Sequence, residues 1–403
     1  MKNKTGEMPW DRKFIIPGPC YPGVRGEGIE APRRLPCAGG TTPLRLKPAP
    51  LRLKPAPLLW ALLFLFSGCA KQEEPVRKDA VTIGLVMDSL VEERWTRDRN
   101  IFIATARRRN AKVIVQIGED SAANQEAQIN YLMEQGMDTL VLIASDPHYL
   151  SRTVLDLRRQ GIPVLLYERM VYNGGASLLM AFDGEAVGVL QAQEILKRIP
   201  RGTVLIYNGL SGDFYAEGVH RGIINTLGDA INRERIKIVD HWPGTTRVEE
   251  AFEFINTYLD YNPPMDGIIA LNDLQAEAII RALALKHLAG RVTVIGADAD
   301  LAACQRIVEG TQAMTVYKPI NYIATAAADL AIDLAQDYRF TIHNAVNDGT
   351  FRIPYFQFLP VAVSAENMKE IIIRDGFHLE DEVYRNTLPK VQPAEPAPHV
   401  PRR

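Results

Sequence analysis

The sequence predicts an α/β protein with two similar lobes, each built on a doubly wound parallel sheet. From Val81 onward, short apolar runs alternate with amphipathic stretches of helical length, which is the rhythm of right-handed βαβ units. The apolar runs are continuous rather than alternating, as in parallel strands that are buried on both faces. Their number is high for one doubly wound sheet, and a break near Phe182 and Asp183 divides them. We therefore expect two lobes that face one cleft.

Five strands are expected on each side of this break, with helices between them. The first group is Val81–Met87, Lys112–Ile117, Thr139–Ile143, Pro163–Tyr167 and Ser177–Phe182. The second group is Thr203–Tyr207, Ile236–His241, Gly267–Leu271, Val292–Gly296 and Gln312–Val316. The predicted helices include Thr96–Arg109, Asn124–Gln135, Glu185–Arg198, Val248–Tyr261 and Leu274–Lys286. Gly-Ile-Pro and Asn-Pro-Pro sequences stop two of the helical stretches.

The first 68 residues do not have the pattern of a folded domain. They are rich in Pro, Gly and Arg, and an apolar run from Leu58 to Phe66 precedes the small residues Ser67 and Gly68 and then Cys69. This order is typical of a secretory signal, because the apolar run is too short to span a bilayer. The Ser-Gly-Cys sequence resembles a bacterial lipobox, which implies that Cys69 is diacylated after cleavage. Residues 69–80 are then a tether, and the alternative interpretation is a short buried helix that ends in cysteine.

Composition argues against several other classes of protein. The chain has 403 residues and a formal net charge of −2, with no basic stripe, so we expect no nucleic-acid partner. The four cysteines show no C-x-x-C spacing, and Cys304 has apolar neighbours typical of an inert buried thiol. We expect neither a metal nor a cofactor.

The sequence also lacks the common catalytic motifs. There is no H-E-x-x-H, G-x-S-x-G, P-loop or strand-linked G-x-G-x-x-G sequence. Glu168 and Asp213 are conceivable as a carboxylate pair for glycoside hydrolysis. We nevertheless expect a binding protein and not an enzyme, because many charged side chains are predicted around one site.

Polar and aromatic residues stand at the predicted carboxyl ends of the strands, where ligands bind in open parallel sheets. They are, in chain order, Arg94, Trp95, Glu168, Arg169, Asp213, Tyr215, Asn272, Asp298 and Lys318. Planar and charged groups of this kind can donate to and accept from vicinal hydroxyls, and an aromatic ring can cover the apolar face of a sugar. The residue types therefore suit a monosaccharide.

Each of these residues also has a purely structural interpretation. Arg94 and Trp95 are consistent with a surface charge over a packed ring, and Asp98 with Arg99 are consistent with a salt bridge or a helix-end pair. Asp213 is a natural N-cap residue. The Tyr-Lys-Pro sequence around Lys318 is consistent with the start of a helix.

The same stretches resemble the bacterial periplasmic sugar-binding proteins of the ribose and galactose group, most closely the xylose-binding members. The resemblance runs from about residue 81 to about residue 382 and is carried by LVEERWTRDR from Leu90, YERM from Tyr167, Asn272-Asp273, GADADLA from Gly296, GTQAMTVYKPI from Gly310 and DGFH from Asp375. It implies a type I periplasmic-binding-protein fold, with two lobes joined by a three-strand hinge. The implied first lobe is 81–182 with 316–340, the second is 183–315 with 341–387, and 388–403 is a disordered tail.

The resemblance also implies roles for individual residues. Trp95 would stack on the sugar and Asn272 would both donate and accept, while the implied donors are Arg94, Arg169 and Lys318 and the implied acceptors are Asp213 and Asp298. Three positions depart from the family pattern. Glu168 replaces an aspartate, Tyr215 replaces an asparagine, and Thr246 replaces a second stacking tryptophan, with Trp242 in the same loop. Tyr215 or Trp242 is expected to cover the second face of the sugar.

The function implied is that of an extracytoplasmic, lipid-anchored solute-binding protein, located in the periplasm or on the outer cell surface. It would capture xylose or a similar aldose as a monomer and deliver it to an ABC permease and its ATPase. The alternative is a lipoprotein that presents sugar to a chemoreceptor or a sensor kinase. A transcription regulator of the lactose-repressor type shares the fold, but a signal sequence occupies the place of its DNA-binding head.

Overall fold

The computed structural model describes residues 80–91, 93–245, 247–338 and 341–387. The predicted signal, Cys69, almost all of the tether, Thr246 and the predicted tail lie outside these residues. The strands are β1 Thr82–Met87, β2 Lys112–Ile117, β3 Thr139–Leu142, β4 Val164–Tyr167, β5 Leu178–Phe182, β6 Gly202–Tyr207, β7 Ile236–His241, β8 Gly267–Ala270, β9 Thr293–Ile295, β10 Thr315–Tyr317, β11 Ala345–Asn347, β12 Arg352–Phe358 and β13 Val361–Val363.

The helices alternate with the strands through most of the described chain. They are α1 Glu93–Arg108, α2 Ala122–Glu134, α3 Ser151–Arg159, α4 Gly184–Arg198, α5 Phe214–Asn232, α6 Val248–Tyr261, α7 Asp273–Leu285, α8 Leu301–Glu309, α9 Ile320–Ala335 and α10 Glu380–Val383, with a π-helical turn over Lys369–Ile373. Within the described ranges, no helix is both long enough and apolar enough to cross a bilayer.

The first sheet has the strand order β11-β12-β5-β4-β3-β1-β2, and all neighbours are parallel except β11 and β12. The order around β1 reverses direction, which is the mark of a doubly wound sheet. Helices α1 and α9 pack on one face, around Phe102 and Ile323, and α2 and α3 cover the other, around Leu132 and Leu157. Because both faces are covered, the central strands are apolar throughout, as the sequence predicts.

The second sheet has the order β7-β6-β8-β9, again parallel. A bridge between Ile295 and Met314 extends it toward β10, which pairs with β13 in the antiparallel direction. Helices α4 and α5 cover one face of this sheet and α6 and α7 the other. Helices α4 and α5 touch backbone to backbone, since a Cβ on Gly188 would lie 2.0 Å from the carbonyl oxygen of Val219. This contact fixes α5, which begins at the cleft.

Within the described residues, the chain passes between the two sheets three times, as the predicted three-strand connection requires. They follow β5 at Phe182, β10 at Tyr317 and β12 at Phe358. The structure corrects one predicted boundary, because residues 345–358 belong to the first sheet and not to the second lobe. β12 pairs with β5 in parallel, with Phe358 opposite Phe182. Its alternating buried and exposed residues differ from the continuous apolar runs that identified the other strands.

Candidate ligand-binding site

The side chain of Arg94, in the first turn of α1, joins acidic groups from both lobes. It is only 2% exposed. Its Nη2 donates to Oε1 of Glu168 at 2.8 Å and its Nε donates to Oδ2 of Asp98 at 3.2 Å, while its Nη1 lies 3.7 Å from Oδ1 of Asp298. Burial by itself lowers the pKa of Arg94, but attraction to these three carboxylates outweighs it and raises the pKa well above its ordinary value. The guanidinium is therefore charged at any physiological pH.

Lys318, directly after β10, completes what we call the charged cluster: Arg94, Asp98, Glu168, Asp298 and Lys318. Its Nζ lies 2.9 Å from Oδ1 of Asp298 and 4.1 Å from the ring centroid of Tyr215. Burial opposes its charge, but Asp298 and its other neighbours raise its pKa above the ordinary lysine value. Burial raises the pKa of the Tyr215 hydroxyl to about 12, so this group is neutral. The cluster thus joins three strand ends of the two lobes and the first turn of α1.

Asp98 orients Arg94 from within the same helix. The two residues are one turn apart, and the hydroxyl of Tyr167 donates to the other carboxylate oxygen of Asp98. The interpretation of Asp98 as a partner of Arg99 is wrong, because Arg99 donates to Asn100 instead. Burial raises the pKa of Asp98 to about 6, against the opposing effect of Arg94.

Two acids of the charged cluster sit on backbone in the left-handed region. Glu168 has φ +66°, Asp298 has φ +99°, and the next residue, Ala299, has φ +55°. Residues with side chains rarely adopt such angles, and strain of this kind concentrates where the surrounding structure holds a functional group in place. The hydrogen bonds from the amides of Glu168 to Met180 and of Asp298 to Val316 fix both turns.

Trp95 lies next to the charged cluster and is almost fully buried. The Cζ of Arg94 is 4.5 Å from the centroid of its ring, and the edge of Tyr167 meets it at 64°. The structural interpretation of Arg94 as a charge that covers the packed ring of Trp95 therefore describes one face of that ring. Trp242 instead contacts His220 and Asp240 of the second lobe, where its Nε1 donates to Oδ2 of Asp240 at 3.4 Å.

Arg169 is anchored by Asp88, a residue that sequence reasoning did not place in the site. The Nη1 of Arg169 donates to Oδ2 of Asp88 and to the carbonyl of Ala144 at 3.3 Å. The other oxygen of Asp88 is buried and accepts no hydrogen bond from the described residues. Asp88 is the first residue after β1. The rule that ligands bind at the carboxyl ends of parallel strands, which we call the strand-end rule, would therefore have included Asp88 if it had been applied to every strand.

Asp213 and Asn272 are both helix N-caps. Oδ1 of Asp213 accepts from the amide of Ala216 at 2.7 Å, and Oδ1 of Asn272 accepts from that of Gln275 at 2.9 Å. Among the described residues, neither side chain forms a hydrogen bond or an ion pair with the charged cluster. Asp213 caps α5 and Glu168 is paired with Arg94, so neither carboxylate is arranged as half of a hydrolytic pair. Among the described residues, no group of His, Cys, Asp and Glu side chains is suited to hold a metal ion.

Tyr172 joins the two lobes away from the charged cluster. Its hydroxyl donates to the carbonyl of Gly212 at 3.3 Å, and its ring stacks on His148 with the ring centroids 5.0 Å apart.

Tyr172→Phe keeps the stacked ring and removes only the hydrogen bond between the lobes. We expect about a two- to tenfold faster ligand dissociation, since a neutral hydrogen bond contributes roughly 0.5–1.5 kcal/mol. Stopped-flow fluorescence measures the rate, with Tyr322→Phe, an exposed tyrosine of α9, as the control; an unchanged rate would show that the bond does not hold the closed form.

A second buried acid, Asp273, makes stability depend on pH. Its carboxylate accepts from Thr315 Oγ1 at 2.7 Å and from Gln312 Nε2 at 2.8 Å, and burial raises its pKa from 3.8 to about 7. Because the folded state holds this proton more tightly than the unfolded state, its contribution is complete below pH 4 and is lost as the pH rises through 7. The contribution of Asp98 to stability is likewise lost as the pH rises, because its pKa is also raised.

We therefore expect Asp273→Asn to flatten the fall in the free energy of unfolding between pH 5 and 8. Urea unfolding across this range measures the slope. Asp260→Asn, which changes an exposed carboxylate near Lys286, should keep the slope of the parent protein. A slope that Asp273→Asn leaves unchanged would contradict the assignment.

The geometry agrees with comparisons to known proteins. Residues 83–338 match the model of a family described as "Periplasmic binding protein domain". The chain is 36% identical over 328 residues to the D-xylose-binding periplasmic protein of Haemophilus influenzae, covering 80% of this chain and 98% of that one. It is 35% identical over 305 residues to the D-xylose-binding periplasmic protein of Escherichia coli, covering 75% and 92%.

Solved structures agree on the fold. A carbohydrate transporter solute-binding protein from Chloroflexus aurantiacus, solved in complex with D-glucose, superposes with a TM-score of 0.69 at 22% identity, covering 76% of this chain and 98% of that one. The fold is thus the type I periplasmic-binding-protein fold that the sequence predicts. The sequence relatives are binding proteins and not enzymes, as is this chain. The matched family model and the identity along most of the chain establish that this protein belongs to the periplasmic binding protein family.

Proposed function

We propose that this protein captures a monosaccharide, xylose or a similar aldose, between its two lobes in the periplasm and delivers it to an ABC permease. The observation that carries the proposal is the charged cluster, to which the first lobe contributes Arg94 and Glu168 and the second contributes Asp298. Two relatives at 35–36% identity are named as D-xylose-binding proteins, which supports the choice of sugar.

The residue types fit a polyhydroxylated ligand. Arginine and lysine donate, aspartate and glutamate accept, and hydrogen bonds to charged groups contribute roughly 1.5–3 kcal/mol each. Micromolar affinity corresponds to about −8 kcal/mol, so a few such bonds are sufficient. The proposed contacts are Arg94, Trp95, Glu168, Arg169, Asp213, Tyr215, Asn272, Asp298 and Lys318, to which we add the buried oxygen of Asp88.

The proposed mechanism is closure of the lobes around the sugar. Arg94 belongs to the first lobe and Asp298 to the second, so ligand bound to one lobe would gain its remaining contacts when the lobes close. The closed face would then be recognised by the permease and its ATPase. Diacylation of Cys69 would hold the protein, as a monomer, at a membrane surface.

Isothermal titration of the chain from Lys71 onward tests the choice of ligand. We expect micromolar or tighter binding of D-xylose, and weaker binding of ribose, arabinose, glucose and galactose. Tighter binding of another of these sugars would make Glu168 and Tyr215 the residues that set specificity, and Glu168→Asp should then shift the preference toward xylose. No binding to any of them would refute the sugar proposal.

A separate experiment tests the anchor. The full-length protein, expressed in a bacterium that processes lipoproteins, is expected to be found in the membrane fraction. Cys69→Ala removes the thiol that would carry the lipid, so this variant should be lost from that fraction. Equal membrane association of the two forms would contradict lipidation at Cys69.

A further inference from the structure

A segment near the end of the described chain reaches back to α1, the helix that carries Arg94 and Trp95. One nitrogen of Arg97 donates to the carbonyl oxygen of Phe377, and the other lies 3.2 Å from Nδ1 of His378. The guanidinium also covers the ring of Phe377, with Cζ 4.6 Å from its centroid. Arg97 and Phe377 are 280 residues apart in sequence, so this contact is purely tertiary.

His378 continues the contact into the ligand site. Its side chain is 2% exposed, and its Nε2 lies 2.7 Å from the carbonyl oxygen of Ala299. Since a carbonyl oxygen only accepts, Nε2 must carry the hydrogen, which leaves Nδ1 of the neutral ring to accept from Arg97. One imidazole thus links α1 to the residue that follows Asp298.

The turn that His378 holds is the strained turn of the charged cluster. Asp298 and Ala299 both have positive φ. The amide of Ala299 donates to Oγ1 of Thr315 at 3.1 Å, which fixes the turn from the side of β10. The bond from His378 fixes it from the opposite end, at the carbonyl group. Without that bond, the carbonyl of Ala299 would be a buried acceptor with one partner fewer.

The segment that carries His378 is attached to the second lobe. Helix α10 packs against α8, and Gln305 of α8 donates to the carbonyl of Glu382 at 2.8 Å. Phe377 lies in a core cluster with Ile307 and Val363, and Ile101 of α1 packs against the same cluster. The contact therefore joins α1 of the first lobe to a part of the second lobe that is packed around its own hydrophobic core.

We infer that His378 is a positioning residue that fastens the Asp298–Ala299 turn to α1 and so places the carboxylate of Asp298 between Arg94 and Lys318. This inference rests on the proposed sugar-binding function of the charged cluster. It assigns His378 no contact with the ligand. Its effect on binding must therefore pass through Asp298.

The first test is titration of the chain from Lys71 onward, whose described part contains both sheets and their cores, with D-xylose. His378→Phe keeps a ring of similar size and removes both hydrogen bonds, and should weaken binding roughly 10- to 100-fold through faster dissociation. His378→Gln, whose amide can still donate to Ala299, should recover most of this loss. His343→Phe, at an exposed histidine, should bind like the parent. Parent-like affinity in His378→Phe would overturn the inference.

A double-mutant cycle separates positioning from general destabilisation. In an Asp298→Asn background, His378→Phe should change the affinity for D-xylose less than threefold, because the group that it positions is already altered. In an Arg169→Gln background, it should keep its full effect. An equal effect in both backgrounds would mean that His378 supports the fold and not Asp298.

Hydrogen exchange of the unliganded protein tests the link that His378 makes between Arg97 and Ala299, which we call the clasp, even if no sugar binds. His378→Phe should speed amide exchange in residues 297–301 and 97–101 and leave β3 unchanged. Such a local change, together with no binding of any sugar by the parent, would preserve the clasp and refute the proposed function. Unchanged exchange at both segments would overturn the clasp itself.

Discussion

Replacing Arg94 by methionine is expected to abolish measurable sugar binding and to lower the free energy of unfolding by about 3–5 kcal/mol. Arg94 is buried between Glu168, Asp98 and Asp298, so its removal leaves three carboxylates close together without their shared cation. Removing one partner of a buried ion pair lowers the free energy of unfolding by more than the net stabilisation that the intact pair provides, because the remaining charges stay desolvated.

Urea unfolding at pH 7 measures the loss of stability, and titration with D-xylose measures the loss of binding. Arg99→Met is the matched control, because Arg99 is on the same helix and, among the described residues, hydrogen-bonds only to Asn100. It should change stability by less than about 0.5 kcal/mol. An Arg94→Met protein that binds xylose like the parent would remove the charged cluster from the site.

Replacing Lys318 by methionine is expected to weaken sugar binding at least 100-fold, and to destabilise the protein by about 3 kcal/mol. Its ammonium group is the closest cation to Asp298, at 2.9 Å against 3.7 Å for Arg94. Without Lys318, the strained Asp298 carboxylate has one distant cation and the ring of Tyr215 loses its partner.

The double variant Lys318→Met with Asp298→Asn distinguishes stability from binding. It removes both members of the ion pair, so part of the lost stability should return, while binding should stay weak because two of the proposed ligand contacts are gone. Lys237→Met, at an exposed lysine of β7, controls for the loss of one positive charge. Recovery of sugar affinity in the double variant would show that the pair supports the fold alone.

Much of the fold could be predicted because it is local in sequence. The bounds of β2 and β7 agree with the prediction to the residue, and the other eight predicted strands differ by at most three residues at an end. A strand covered by helices on both faces must be apolar at every position, and this pattern can be read without knowing its neighbours. The strand-end rule likewise predicted that Glu168, Asp298 and Lys318 stand near one another.

Other features could be known only from the tertiary structure. β12 is an alternating strand whose partner, β5, lies more than 170 residues earlier, so its place in the first sheet depends on a pairing that no local pattern reveals. Asp213 and Asn272 also cap α5 and α7, each with its Oδ1, and this second role of a proposed ligand contact depends on where the helix amides lie in the folded protein.

The sequence by itself determined the class of protein, the number of lobes and the edge of each sheet where the charged cluster lies. Only the tertiary structure decided which polar groups neutralise one another. Pairing energies depend on distances of a few ångströms between segments far apart in sequence, as for Arg94 with Glu168 and for Arg97 with His378. Hydrophobic periodicity is a property of neighbouring residues, so it can be read from the sequence. The pairing of polar groups that are far apart in the chain cannot be read in this way.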